Sequence, residues 1–341
     1  MAHAHLHACN HQTLSAVSRP MSDTGSNIIL ARENNMPQPA IVTSNDWNDY
    51  ALIDSGHQRK LERFGTFRFI RPEPQAMWSP RLDESEWKAD GVFVASPSEA
   101  DSGEGGGWKL QNNVPTDWLV AYQNLHFYAR PTPFRHLGFF PEQAAHWDWC
   151  ADAIRQRVAR QPDTRPRILN LFAYSGVASL HAAAAGGDVT HLDASKKAVA
   201  QAFENRDASH MQDAPIRFIT DDAMRFVERE IRRGRHYDGI IMDPPKYGRG
   251  PKGEFWRIEE DMPALLQACR KLLSENPLFM VLTIYAIRAS SLAAHYAMAE
   301  AVNGLGGMVT SGELAVREEM LEGRGSPRVV SQANFARWHA G

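Results

Sequence analysis

The chain has 341 residues, 43% hydrophobic and 23% charged, so it can bury a sizeable core and disorder is excluded as the whole description. Its 37 Lys and Arg against 40 Asp and Glu leave a formal charge of -3, which excludes a polybasic nucleic-acid coat and an acidic tail protein. Residues 46–125 carry 8 basic and 13 acidic side chains and residues 126–341 carry 27 and 25, so any polyanion must be met by a local patch.

Cys9, Cys150 and Cys269 are an odd number with no CxxC spacing, which speaks against a disulfide framework or a Cys-rich zinc site and suits a reducing compartment. The longest apolar stretch, around residues 277–287, is about half of what a bilayer crossing needs. A cytoplasmic location with no membrane and no metal partner is the expectation.

Residues 1–45 mix His, Asn, Ser, Gln and Pro without periodicity, the composition of a disordered leader, with Met21 and Met36 as alternative starts. His3, His5, His7 and His11 lack a carboxylate or Cys partner at fixed spacing and are not read as a metal site. Residues 46–128 show short strand-like runs at 67–70 and 91–94, cut by Pro72 and Pro74 and by the flexible stretch 102–107. They predict a small β-rich N-terminal domain. Trp78, Trp87, Trp108 and Trp118 are read there as core rather than as base-stacking platforms.

From residue 129 the pattern changes. Helices are predicted at 143–160, 177–185, from 195, at 223–233, 259–274 and 291–301, alternating with strands at 168–172, 189–192, 216–220, 239–242 and 278–284. Repeated β-α-β units of this kind predict an α/β, Rossmann-like, doubly wound parallel sheet. Two further strands at 308–316 and 329–338, joined through the turn-rich run 322–327, predict a closing hairpin, so the seven-stranded sheet should end with an antiparallel strand.

In such a sheet the ligand lies at the carboxyl ends of the strands, where the strand order reverses. After the first strand comes Asn170-Leu171-Phe172-Ala173-Tyr174-Ser175-Gly176, opening a helix. After the second come Asp193 and Ala194, about 20 residues on, the spacing at which a carboxylate accepts from both hydroxyls of a ribose. The third is followed by Asp221-Asp222-Ala223, with Asp222 placed to accept from an adenine amino group, and the fourth by Asp243-Pro244-Pro245-Lys246-Tyr247. The first loop keeps only Gly176 of a three-glycine dinucleotide fingerprint, and no Gly-Lys-Ser/Thr follows a strand, so a phosphate cradle is missing. A nucleoside pocket without that cradle, with Asn170 and loop carbonyls for an ammonium group, suits S-adenosylmethionine.

Two prolines in succession hold a strand end extended and leave backbone carbonyls unpaired toward the cleft. Asp243 and the Pro244 carbonyl can then accept from an amino group, keep its lone pair directed at a methyl carbon and take part of the developing positive charge, while Tyr247 stacks on a planar ring. The local alternative makes Asp243 a helix cap and Tyr247 a core residue.

The run Leu169–Gly176, with Asp193 and Asp243–Tyr247, resembles the class I S-adenosylmethionine methyltransferases, specifically the bacterial large-subunit ribosomal RNA methyltransferase group, over about residues 126–341. The run Gly138-Phe139-Phe140-Pro141-Glu142-Gln143 is similar to that group's short segment ahead of the Rossmann core, and the resemblance implies that Phe140 and Gln143 line the cofactor pocket. Two departures stand out. The N-terminal part does not read as the basic RNA-binding module often attached in the group. The cytosine-C5 members use a Cys in the strand after the Asp-Pro-Pro loop, where this chain has Leu282-Thr283-Ile284-Tyr285-Ala286. A C5 attack needs a covalent nucleophile, so a nitrogen acceptor is expected, and Cys269 is read as a small core residue. The expected function is methylation of a nitrogen on an RNA base, ribosomal RNA first. A small-molecule or protein acceptor and a non-catalytic cofactor-binding scaffold are the alternatives. RNA would be gripped through the loop 248–253 with Arg249 and Lys252, whereas Arg232, Arg233, Arg235 and Arg257 could serve phosphates or form a solvated face.

Overall fold

The computed structural model describes residues 36–44, 47–95, 105–285 and 289–341. The first strand, β1 (Ala40–Thr43), precedes a five-stranded sheet built in sequence order from β2 (Tyr50–Gly56), β3 (Arg59–Phe64), β4 (Phe67–Pro72), β5 (Gly91–Ala95) and β6 (Gly106–Leu110). A hairpin of β7 (Trp118–Tyr122) and β8 (Leu125–Ala129) follows. Then come α1 (Ala144–Arg160), β9 (Arg167–Leu171), α2 (Val177–Ala184), β10 (Asp188–Asp193), α3 (Lys196–Ala208), β11 (Ile216–Thr220), α4 (Ala223–Arg232) and β12 (Gly239–Met242). The short pair β13 (Tyr247–Arg249) and β14 (Phe255–Arg257) leads into α5 (Ile258–Arg270), β15 (Phe279–Ile284), α6 (Ser291–Ala301), β16 (Met308–Arg317) and β17 (Val329–His339).

The main sheet has the order β1-β16-β17-β15-β12-β9-β10-β11. The five central strands β9 to β12 and β15 are parallel, and β17 runs antiparallel to both β15 and β16. All residues of β12 and β15 are buried, as expected for strands with helices on both faces. The sheet has eight strands rather than seven. The addition comes from inside the stretch read as a leader, where Ala40–Thr43 pairs parallel with β16 from Gly312 to Ala315. Four residues carry too little periodicity to be read as a strand, but β16 would otherwise offer an unpaired edge. The His-rich run at 3–11 lies outside the described residues, as does Cys9.

Helix starts follow local chemistry. Ser195 caps α3 by accepting from Ala198 N at 3.2 Å, and Asp222 caps α4 by accepting from Arg225 N at 3.0 Å. Gly176 enters α2 with φ +83°, and a Cβ there would stand 2.7 Å from Ala202 Cβ, so only glycine lets α2 and α3 approach this closely.

Residues 37–341 form one compact unit, the β-rich stretch included. Buried charges tie the β2–β6 sheet to the long β16–β17 hairpin. Arg81 and Arg328 reach Glu318 at 3.0 and 3.1 Å, and Arg328 reaches Asp54 at 3.1 Å. Beside them, Arg71 pairs with Glu62 at 2.6 Å and Lys60 with Glu73 at 3.3 Å. Removing one member of such a cluster leaves a buried charge unpaired, at a cost of about 3–5 kcal/mol. The four tryptophans are structural, as read: Trp87 is buried, the others pack on the core, and each indole N–H has an acceptor within 3.1 Å. Cys150 and Cys269 are buried, and burial pushes both thiols up to about 12. Among the described residues no helix is long and apolar enough to cross a membrane, and no group of three His, Cys, Asp or Glu could hold a metal.

Candidate active site

The strand order reverses between β9 and β12, and one cavity opens at their carboxyl ends. It brings together Phe140, Gln143, Asn170, Phe172, Ala173, Tyr174, Ser175 and Asp243, all eight expected from the sequence.

The loop after β9 is wound tightly. Phe172 and Tyr174 take φ +55° and +46°, a region side-chain-bearing residues rarely adopt. The fold holds them there from both sides. Tyr174 N donates to Asp193 Oδ2 at 2.9 Å, and Ser195 N to Oδ1 at 2.8 Å. Ser175 Oγ donates to the Gly138 carbonyl at 2.8 Å, and its own carbonyl accepts from Asn205 Nδ2 at 2.8 Å. Asn205 also takes Tyr128 N through Oδ1, coupling β8 to the loop. Burial raises the Asp193 carboxyl, and the two backbone N–H bonds oppose that. A carboxylate has about four acceptor sites, so Asp193 can hold the loop and still accept from two hydroxyls.

Asn170 is buried, and its Nδ2 donates to Ser179 Oγ at 2.9 Å; Ser179 in turn meets His191 Nδ1 at 3.1 Å. Burial holds the His191 imidazole down at about 3, so this chain is uncharged at neutral pH.

At the end of β12, Asp243 Oδ2 accepts from Gln143 Nε2 at 2.9 Å, while Oδ1 is closed from solvent and has no partner. Burial first, then the neighbouring Glu142 carboxyl, push Asp243 up to about 8, against the hydrogen bond from Gln143. Gln143 Nε2 also donates to the Tyr285 hydroxyl at 3.1 Å, and that hydroxyl donates to Glu142 Oε1 at 3.1 Å. Pro141 starts the 3-10 turn Pro141–Gln143, which presents Glu142 and Gln143 to the strand ends. Burial raises Glu142, opposed by Lys60 and Arg71 of the N-terminal sheet.

Other expected residues fall outside this cavity, Gly176 and Asp193 among them, although Asp193 holds its Tyr174 wall. Asp222 spends one carboxylate oxygen on the α4 cap, and Ala223 is buried in the helix start. Ala194 is half-buried beside Asp193. Pro244 is buried, but the expectation that both proline carbonyls stay unpaired needs correcting. The β13–β14 hairpin folds back so that Trp256 Nε1 donates to the Pro245 carbonyl at 2.8 Å. Tyr247 is 49% exposed on β13 rather than packed in the core, with Lys246 Nζ 5.3 Å from its ring centre. The glycine-rich run 248–253 supplies the end of β13 and, from Gly250, the turn of this hairpin, pinned by Glu254, which pairs with Arg225 at 2.7 Å and accepts from Lys252 N. Glu142 and Tyr285 lie in runs singled out in the sequence but carry no expected role in the site there. Glu142 sits inside a motif that had been quoted, and Tyr285 follows β15 directly, so the strand-end rule applied to the fifth parallel strand would have found it.

A family model described as conserved hypothetical protein 95 matches residues 148–282. Ribosomal RNA large subunit methyltransferase K/L of Shewanella sp. (strain MR-4) is 32% identical over 126 residues, 36% of this chain and 18% of that protein. Its namesake from Magnetococcus marinus is 30% identical over 161 residues, 46% and 21% of the two chains. The chain thus spans about a fifth of the length of these curated relatives. The crystal structure of the SAM-dependent methyltransferase from Agrobacterium tumefaciens superposes with a TM-score of 0.82 at 44% identity, covering 89% of this chain and 94% of that one. The structure of a methyltransferase complexed with SAH shares the fold at a TM-score of 0.61 and 14% identity, over 86% and 76% of the chains. With the doubly wound sheet and the strand-end cavity in place, the chain belongs to the S-adenosylmethionine-dependent methyltransferases.

Proposed function

We propose that this methyltransferase acts on a nitrogen of an RNA base, with ribosomal RNA as the first candidate and Asp243 as the residue that receives the acceptor. The observation that carries this reading is the buried, partnerless Oδ1 of Asp243 at the end of β12, in the cavity that also holds the loop after β9. A buried acceptor without a partner costs free energy unless a ligand donates to it.

The residues fit S-adenosylmethionine. Asp193 would take the ribose hydroxyls, the apolar faces of Phe140, Phe172 and Ala173 would bury the nucleoside, and the α2 N-terminus at Val177 would face the amino-acid carboxylate. When bound, the cofactor supplies an electrophilic methyl group on a cationic sulfur. On the acceptor side, Asp243 Oδ1 would accept from an amino N–H, fixing the nitrogen lone pair, and the Pro244 carbonyl would take a second N–H. Tyr247, exposed at the rim, would stack on the base. Asp243 accepts most strongly when ionised, and a cation nearby favours that form. The buried thiols supply no nucleophile, in keeping with a nitrogen rather than a ring carbon as acceptor. The relatives named as ribosomal RNA methyltransferases support the RNA acceptor.

Comparing modified-nucleoside profiles of ribosomal RNA from wild-type and deletion cells tests this. One N-methylated nucleoside should vanish on deletion. Unchanged profiles would move the acceptor to a small molecule or a protein.

A further inference from the structure

The β13–β14 hairpin has an outer face that the reaction leaves largely unused. Its register pairs Tyr247 with Arg257, Gly248 with Trp256 and Arg249 with Phe255. Opposed residues share a face, and faces alternate along a strand. Trp256 is therefore turned inward and buried at 7%, while Tyr247, Arg249, Phe255 and Arg257 lie on the other side. Phe255 is 53% exposed and Tyr247 49%. Each ring carries a cation: the Arg257 guanidinium stands 5.1 Å from the Phe255 centre, and Lys246 Nζ stands 5.3 Å from that of Tyr247. The hairpin's carboxylate, Glu254, is taken up by Arg225, and Arg257 also meets Glu260 of α5 at 2.9 Å. The paired strand positions thus present two rings and two guanidinium groups and no carboxylate.

The inner side ties this surface to the active site. Trp256 donates to the Pro245 carbonyl, and its ring lies 5.0 Å from that of Phe172 in the loop after β9. An exposed ring is ordinary when it stands alone. Two on one short hairpin, each with a cation against it and four residues past Asp243 at the nearer end, form the combination with which proteins hold unpaired nucleotides.

We propose that this outer face is a stacking platform for single-stranded RNA beside the acceptor base, with Phe255 holding a neighbouring base and Arg249 and Arg257 meeting phosphates. The platform rests on the RNA reading above and extends it from the acceptor base to the strand around it. Diagonal neighbours on antiparallel strands lie about 7–8 Å apart, so Tyr247 and Phe255 can serve successive bases of an extended strand. Stacking accepts any base, which leaves sequence choice to the pocket.

The test is binding of the full chain to fluorescein-labelled single-stranded oligouridine of about 12 nucleotides, with a duplex of the same length as control. Phe255→Ala and the volume-keeping Phe255→Leu should both weaken single-strand binding about 5- to 100-fold. Phe255→Trp should retain it, and calorimetric affinity for S-adenosylhomocysteine should stay unchanged in all three. Equal single-strand binding by wild type and Phe255→Leu overturns the platform and leaves the RNA acceptor standing. A wild-type chain that binds neither probe overturns both.

Discussion

Gln143 Nε2 donates to Asp243 Oδ2 at 2.9 Å, which engages one oxygen of the carboxyl and leaves Oδ1 buried and free. The same amide reaches Tyr285, which reaches Glu142. The carboxyl proposed to receive the acceptor is therefore held in orientation by a side chain from the turn ahead of α1, and its ionisation is coupled to a second buried carboxyl.

Asp243→Asn should lower methyl transfer by at least about 100-fold, since an amide accepts more weakly and cannot take a proton. Its effect on stability should have the opposite sign. The native carboxyl titrates near 8 and the unfolded one near its ordinary value of 3.8. Between those values the unfolded chain binds fewer protons, so native stability falls as pH rises. Asparagine is neutral throughout. The ligand-free variant should therefore match wild type near pH 4 and exceed it by on the order of 2–3 kcal/mol near pH 8, allowing for the partial exposure of the residue. Denaturant titrations at both pH values check this, and a variant less stable at pH 8 would contradict it.

Asp193→Ala should weaken S-adenosylmethionine binding by about 1–3 kcal/mol. It removes the ribose acceptors and also releases the N–H groups of Tyr174 and Ser195 that hold the loop. Titration calorimetry giving equal affinities would remove Asp193 from the site.

The fold was legible where periodicity is strong. The central strands and most of their helices are predicted to within a residue or two, because buried parallel strands read as apolar runs between amphipathic helices, whereas the helix read to residue 274 ends at Arg270. The loop after β9, Asp193 and Asp243 were legible because chemistry concentrates at strand ends. β1 was not, since its four residues gain their partner only through a β16 edge that lies far along the chain. Glu142 was hidden for a different reason. Its role depends on Tyr285 and Gln143 meeting in space, which no local spacing encodes.

Replacing Cys150 and Cys269 with alanine should leave turnover within about twofold, because both thiols are buried and held protonated. Each substitution leaves a small void and costs about 1 kcal/mol. A fluorinated pyrimidine RNA should form no covalent adduct. Loss of turnover in a folded variant together with such an adduct would restore the C5 mechanism.

Arg249→Ala with Lys252→Ala should flatten the salt dependence of single-stranded RNA binding by about 1.4 in log–log slope, the sum of two phosphate contacts. Both residues are exposed, Arg249 on β13 beside Tyr247 and Lys252 in the turn that follows. An unchanged slope would take this end of the hairpin out of the RNA path.

The acceptor is tested most directly by incubating the purified chain with methyl-labelled S-adenosylmethionine and ribosomal RNA from cells lacking its gene, then resolving the nucleosides by mass spectrometry. The expected result is label on a nitrogen of one base, absent with Asp243→Asn and absent when the RNA comes from wild-type cells. Label on the C5 carbon of cytosine, or on a small amine or a protein with none in RNA, would contradict it.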